Sequence, residues 1–260
     1  MFMVSITEEQ ALVRDGFSFF PAEFDWVSYK LIFTGNTVLR SYLNSILVTA
    51  IGTTLAVLIT SMASYTLANK NVRFRNHFTL FFLITMFFNA GLVPWYMVSN
   101  VLGLVDNYLA LIIPSLIFTP FNLILTLNYM RGIPDSLRES AWIDGAEDIT
   151  IAFRIYFPLS LPVLATIALF YGLDYWNNWK NAIMLVNNDK LYPIQYLMMQ
   201  LKSQMEMLNS MSSDYTSDIQ IPSESFKMAI AIVTMGPIVL LYPYLQRYFV
   251  KGLVIGSVKG

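Results

Sequence analysis

The stretch SYLNSILVTAIGTTLAVLITSMASYTLAN, residues 41–69, carries no charged side chain and is bounded by Arg40 and Lys70. A helix rises about 1.5 Å per residue, so roughly 20 apolar residues cross the hydrocarbon core of a bilayer. This tract is long enough. Four more uncharged tracts follow, between Arg75 and Asp106, Asp106 and Arg131, Arg154 and Asp174, and Lys227 and Arg247. They are continuously apolar rather than alternating, which fits spanning helices and not barrel strands. The predicted spans are 44–67, 78–98, 108–130, 162–183 and 228–249. The fold class expected is an all-α, polytopic membrane helix bundle with five spanning helices.

Composition agrees. Of 260 residues, 56% are hydrophobic and 13% charged, with a mean hydropathy of +0.54; soluble domains carry about 25% charged residues. Without cysteine there is no disulfide framework or thiolate metal site, and a lone His77 builds none. A net charge of −1 offers no basic face to nucleic acid. The first 30 residues do not form a signal peptide, because Glu8, Glu9 and Asp15 interrupt the required apolar run.

Basic residues in short loops set orientation. Lys70, Arg73 and Arg75 mark one cytoplasmic loop, and Arg131, Arg138 and Arg154 another; Arg247, Lys251 and Lys259 mark the tail. The acid-rich loop 184–227 falls outside, as does the segment 1–40. Trp26, Trp95, Tyr96, Trp176, Trp179 and Tyr192 all fall near the outer surface, as an aromatic belt does. The chain thus divides into an external segment 1–40, a membrane domain 41–250 with an inner loop 131–158, and a cytoplasmic tail 251–260. The first span carries Ser45, Thr49, Gly52, Thr53, Thr54, Ala56, Ser61, Ala63 and Ser64, a set that suits close helix packing. In the outer loop, Tyr196–Met211 has the composition of an amphipathic helix.

The inner loop is larger than simple chain connection requires. It reads RGIPDSLRESAWIDGAEDITIAFRIYFP over 131–158. Ser136 with Glu139 three residues on is a capping-box pattern after Pro134. Gly145 suits a turn or a close approach between two short helices, and Pro158 ends the unit. The acids Asp135, Glu139, Asp144, Glu147 and Asp148 argue against a helix lying on anionic lipid.

At these residues the sequence resembles the permease subunits of binding-protein-dependent ABC importers. Their loop pattern is E-A-A, three residues, G, nine residues, I-x-L-P. It stands here as Glu139-Ser140-Ala141, Gly145, and Ile155-Tyr156-Phe157-Pro158, with Ser140 and Phe157 as the departures. The resemblance implies a cytoplasmic coupling helix that docks on an ATP-binding subunit through 134–158. Glu139 is expected at the contact, Gly145 at the bend, and Ala141 and Ile143 in the apolar knob; Ser140, Asp144, Ile155 and Pro158 complete the motif. Further resemblance, over about 29–260, is to carbohydrate-importer permeases of the maltose-permease G-subunit type, in the LplC/YtcP-like branch. It rests on Tyr42-Leu43-Asn44-Ser45, Gly91-Leu92-Val93-Pro94, Ile133-Pro134, Trp176-Asn177-Asn178-Trp179 and Tyr248-Phe249-Val250-Lys251-Gly252-Leu253. Such subunits usually have six spans, with one before the first found here. Either the start is displaced or this version lacks that helix.

The resemblance implies as partners a second permease subunit, ATP-binding cassette subunits, an external solute-binding lipoprotein and a sugar, within the lipid bilayer of a bacterial plasma membrane. No phosphate-cradling G-x-x-x-x-G-K-[ST] loop is present, so no cofactor is expected on this chain, and ATP with magnesium belongs to the partner ATPase. The expected role is transport, not catalysis. Polar groups inside spans are the candidates for a substrate path. They are Asp174, Tyr175, Asn177 and Asn178, with Asn89 and Asn122 near helix-breaking prolines; interfacial anchoring and helix packing are the competing roles. Permeases of the same type for a polyamine, phosphate or an amino acid share the loop motif. A secondary transporter would need more intramembrane acids than Asp174 and an inverted repeat. A membrane enzyme would need a nucleophile–base set that is absent.

Overall fold

The computed structural model describes residues 1–18, 20, 23–34, 36–114, 117–212, 224–236 and 239. In chain order the helices are α1 (Phe2–Ser5), α2 (Glu9–Asp15), α3 (Val27–Ile32), α4 (Thr37–Ala68), α5 (Arg75–Thr85), α6 (Leu92–Val101), α7 (Tyr108–Ile112) and α8 (Pro120–Arg131). They continue with α9 (Asp135–Ile143), α10 (Asp148–Ile151), a π-helical turn Ala152–Tyr156, α11 (Phe157–Leu159), α12 (Leu161–Trp176), α13 (Lys180–Leu185) and α14 (Ile194–Ser212), then a helix over 224–236, here α15. Among the described residues there is no strand, only an isolated bridge between Thr7 and Phe24.

The first predicted span is one helix. α4 has 32 residues, with a mean hydropathy of 2.0 over its most apolar window. Among the described residues it alone is long and apolar enough to cross a bilayer by itself. The segments Asp148–Leu159 and Leu161–Trp176 pass the same test only as a pair, bent by 84°. The second, third and fourth predicted spans are each divided in two: α5 and α6, α7 and α8, α12 and α13. The causes are local. Gly91 caps α6 with a φ of 85°, and the side-chain oxygen of Asn89 accepts its N–H at 2.8 Å. Pro120 starts α8 at its first turn, where its missing N–H is harmless. The Asn177-Asn178 pair separates α12 from α13, its first amide bonding back to the Leu173 carbonyl at 2.9 Å. Most of the fifth predicted span, the tail 251–260 and residues 213–223 of the outer loop lie outside the described residues.

The chain forms two compact units. In the unit comprising 1–46 and 178–241, the start of α4 holds the turn before α14. The Asn44 amide donates to the carbonyls of Lys190 and Tyr192 at 2.8 and 3.2 Å, and Ser45 Oγ accepts the Ile194 N–H at 2.8 Å. The Glu9 carboxylate accepts the N–H groups of Glu224 and Ser225 at 3.0 and 3.1 Å, satisfying two donors that the start of α15 leaves open. α14 forms where the amphipathic outer helix was expected.

In the unit of 47–177 and 242–260, α4 packs by a stripe of mostly small residues four apart: Val48, Gly52, Ala56, Thr60 and Ser64 are buried, while Ile51, Leu55, Leu58, Ile59 and Met62 are exposed. Gly52 is a close approach. A Cβ there would sit 2.4 Å from the Tyr175 ring, so α4 and α12 touch where only glycine fits. Deeper along the contact, Tyr171 Oη shares a hydrogen bond with Thr60 Oγ1 at 2.7 Å and accepts the Thr119 N–H at 3.0 Å.

Candidate functional site

Residues 134–158 fold as two short helices joined at a glycine turn. α9 ends in a Schellman arrangement: the Gly145 N–H donates to the Trp142 carbonyl at 3.0 Å, and the Ala146 N–H reaches back to the Ala141 carbonyl at 2.9 Å. That pattern needs a left-handed residue after the cap, and Gly145 has a φ of +82°. Nothing lies within 4 Å of a Cβ built there, so the glycine serves the turn and not a close approach. The E-x-A-x-x-x-G spacing thereby acquires a physical reading. Ala141 and Ala146 are the two ends of the longer bond, and both pack on one apolar cluster.

That cluster joins the segment to the membrane helices. Tyr65, Leu67 and Ala68 at the end of α4 and Leu123, Leu127 and Met130 of α8 enclose Ile151, Ala152 and Tyr156, with Ala141, Ala146, Ile155 and Phe157 against them. Tyr65 and Tyr156 meet edge to face with ring centres 5.0 Å apart. Two polar ties come from the same end of α4. Tyr65 donates to Asp148 at 3.3 Å, and Lys70 pairs with Asp135. Lys70 holds the Asp135 carboxyl below its ordinary value, chiefly through their hydrogen bond.

Two expectations are corrected here. The capping box does not form: Pro134 occupies the cap with no side-chain bond, and α9 starts at Asp135, ahead of Ser136. Nor does Pro158 end the helix. α11 runs on to Leu159, and the chain bends at Ser160. A proline removes the N–H that would bond residue 154 and crowds its carbonyl. The turn just before it widens accordingly, with the Phe157 N–H reaching the Ala152 carbonyl in a π-helical bond.

Of the motif residues, Glu139, Ser140, Ile143, Asp144, Gly145 and Pro158 are exposed, and Ala141 and Ile155 are half-buried. The exposed side is strongly apolar: Trp142 is 73% exposed and Ile143 83%, with Leu137, Ile149 and Phe153 nearby in the segment.

The polar candidates within spans are not brought together. Asp174 is exposed on α12. Tyr175 is buried, its hydroxyl donating to the Ile112 carbonyl at 2.9 Å. Asn177 is exposed, and the Asn178 side chain accepts the Asn181 N–H at 3.1 Å. Asn122 is buried in α8. Asn89 does line a cavity of about 770 Å³, walled mostly by apolar residues of the α5–α6 and α7–α8 breaks, with Thr85, Ser99 and Thr119 as its other polar side chains. Sequence reasoning missed Tyr65, Tyr171 and Lys70 as structural ties. No local spacing signals them, because each partner lies far along the chain.

The fold is helical, and the segment 134–158 is fastened on one side and apolar on the other. The chain belongs to the family described as the inner membrane component of binding-protein-dependent transport systems, matched over residues 62–255. It is therefore a plasma-membrane permease subunit of an ABC importer, a transport component and not an enzyme. The LplC/YtcP-like resemblance holds. The polygalacturonan/rhamnogalacturonan transport system permease protein YtcP of Bacillus subtilis is 38% identical over 256 residues, covering 98% of this chain and 89% of that protein. Protein LplC of Bacillus subtilis is 38% identical over the same share of this chain and 86% of its own. The arabinooligosaccharides transport system permease protein AraQ of Halalkalibacterium halodurans is 30% identical, covering 100% of this chain and 89% of that one. Among solved structures, a bacterial ABC transporter involved in the import of the acidic polysaccharide alginate aligns with a TM-score of 0.81 and 29% identity, covering 95% of this chain and 88% of its counterpart.

Proposed function

We propose that this chain is one permease of a carbohydrate importer, forming the path with a second permease subunit and taking its sugar from an external binding lipoprotein. The observation that carries the substrate class is likeness over nearly the whole chain to permeases named for oligosaccharide or polysaccharide transport. Segment 134–158 is the coupling element. One side is fastened to α4 and α8, and the other presents Trp142 and Ile143, an apolar surface suited to a cleft on an ATP-binding subunit. ATP and magnesium sit on that partner, and this chain holds no cofactor. In this reading the chain has five spans, with segment 134–158 and the C-terminus in the cytoplasm and 1–40 and 184–227 outside. The cavity at Asn89 borders the sugar path, with Asp174, Asn177 and Asn178 at the outer end.

Reconstitution of the complete importer tests the substrate. Oligogalacturonates, alginate oligosaccharides and neutral oligosaccharides are supplied with the binding protein, and uptake and ATP hydrolysis are followed. Stimulation by at least one carbohydrate is expected. Stimulation by a polyamine, phosphate or an amino acid with none by any carbohydrate would sink the sugar assignment. The chain lacks cysteine, so S136C and N187C can each be probed with an impermeant maleimide in intact cells. Labelling of N187C alone is expected, and labelling of S136C reverses the orientation.

A further inference from the structure

Beside the end of α4 lies a cavity of about 200 Å³ whose charged lining is Lys70, Arg75, Arg131 and Asp135. Three cations face one carboxylate there, and that carboxylate already pairs with Lys70. Neither arginine forms a salt bridge among the described residues, although the Arg75 charge also acts on the Asp135 carboxyl through space. Arg75 reaches only the Ala68 carbonyl, at 3.3 Å, and Arg131 only the Thr79 hydroxyl, at 3.4 Å. Each guanidinium has five donors in a planar fork, so most of this capacity is unused. Thr79 lies one turn beyond Arg75 on α5 and bonds back to the Arg75 carbonyl at 2.8 Å, so the arginines converge on one stretch of helix. The start of α5 adds to this field. Its cap, Phe74, supplies no side-chain acceptor, and the positive end of the helix dipole lies there. Burial, and to a lesser degree the Arg75 charge, pull the Arg131 guanidinium below its ordinary value.

We propose that Arg75, Arg131 and Lys70 form a binding site for a phosphate-bearing anion, the headgroup of an anionic phospholipid in the inner leaflet. Paired arginines bind phosphate through forked, charge-assisted hydrogen bonds, and basic pockets among membrane helices on the cytoplasmic side take such headgroups. The cavity holds about six waters' share of liquid volume at roughly 30 Å³ each, room for a phosphate group but not for a folded partner. The site adjoins the Lys70–Asp135 pair, so a bound phosphate competes with Asp135 for Lys70 and bears on how α9 is held. Placing the headgroup in the inner leaflet rests on the orientation proposed above; the anion chemistry does not.

The test measures phosphatidylglycerol retained by the full chain in detergent, by native mass spectrometry, with inorganic phosphate and phosphatidylcholine as separate probes. Phosphatidylglycerol retention is expected to exceed that of phosphatidylcholine and to fall about five- to tenfold in Arg75→Gln and in Arg131→Gln. Arg131→Lys should keep part of it, since lysine binds phosphate as a point charge. Arg73→Gln is the control for general surface charge: it lies on the same loop with its guanidinium 4.9 Å from the Phe74 ring centre, outside the cavity lining. Inorganic phosphate that displaces phosphatidylglycerol, with the same losses in both arginine variants, supports the shared phosphate chemistry and assigns a soluble source. Equal loss in Arg73→Gln overturns the site in favour of surface charge. Unchanged phospholipid retention with lost ATPase-subunit association assigns the arginines to a protein carboxylate and also overturns it. Size-exclusion profiles matching the parent chain show that each variant is folded.

Discussion

Substitutions at Gly145 separate two explanations of why glycine stands in the proposed coupling segment. Its φ of +82° costs an alanine about 1–2 kcal/mol, while the open space around a Cβ there adds no clash. Against that strain stand the two Schellman hydrogen bonds, each contributing about 0.5–1.5 kcal/mol, and the packing of Ala141 and Ala146. The terms are comparable, so Gly145→Ala keeps the turn but closes it less firmly, and sugar moved per ATP hydrolysed falls severalfold. Asparagine tolerates left-handed φ, so Gly145→Asn stays near the parent ratio. Gly145→Val is a backbone outlier at this φ, and the turn opens, leaving ATP hydrolysis largely uncoupled from uptake. The order expected in proteoliposomes of the complete importer is Gly, Asn, Ala, Val. Asparagine is larger than alanine, so crowding would reverse the middle pair. Ala above Asn, or Val equal to Gly, would refute the reasoning.

Four further outcomes follow from the fold. Lys70→Asp and Asp135→Lys each lower uptake per ATP, and the double exchange restores it; as an exposed pair it contributes only about 0.2–1 kcal/mol, so the transport ratio is the readout rather than Tm. Because Lys70 depresses the Asp135 carboxyl, the pair's contribution is full above the ordinary carboxylate range and fades as pH falls through the depressed value. This pair should give uptake no pH dependence between about pH 5 and 8, and wild type and the double exchange should share one profile there. Gly52→Ala forces the Tyr175 ring off α4 and costs about 1–3 kcal/mol, seen as a lowered Tm in detergent. Asn89→Asp keeps the acceptor for the Gly91 N–H and adds a negative charge to the large cavity, so uptake of an acidic oligosaccharide should fall several times more than that of a neutral one.

What could be read in advance divides along physical lines. Apolar runs are a one-dimensional signal, so all five tracts stood out, and α4 is uninterrupted because its tract has no proline and its glycine faces a ring. The breaks are a different matter. Gly91 and Pro120 were visible as letters, but apolarity does not say whether a glycine or a proline bends a helix or divides it. The Gly145 turn was legible because a left-handed stop is local, set by residues within one helical turn. The capping box was misread for the opposite reason. Ser136 and Glu139 have the right spacing, but Lys70, distant along the chain, pairs with Asp135 as helix α9 begins there. Tyr171, Tyr65 and the packing of Tyr175 on Gly52 were illegible because each is a meeting of two helices.

The ties on segment 134–158 share one origin, and that bears on how movement passes through the chain. Lys70 and Tyr65 grip Asp135 and Asp148 on either side of the Gly145 turn, while Leu67 and Ala68 enter the same cluster as Ile151 and Tyr156. A segment held by one tie can pivot about it. Gripped on both sides of its turn, it cannot rotate without moving the end of α4 or breaking a buried contact. Close-packed interiors do not absorb such displacement gradually. α4 meets α12 at Gly52 and Thr60, whose short side chains let the helices approach closely. Firm attachment at this end of α4, and close contacts with α12 above it, give displacement of segment 134–158 a route along α4. Such a displacement must change the Thr60–Tyr171 hydrogen bond and, further along α4, the Tyr175 ring over Gly52.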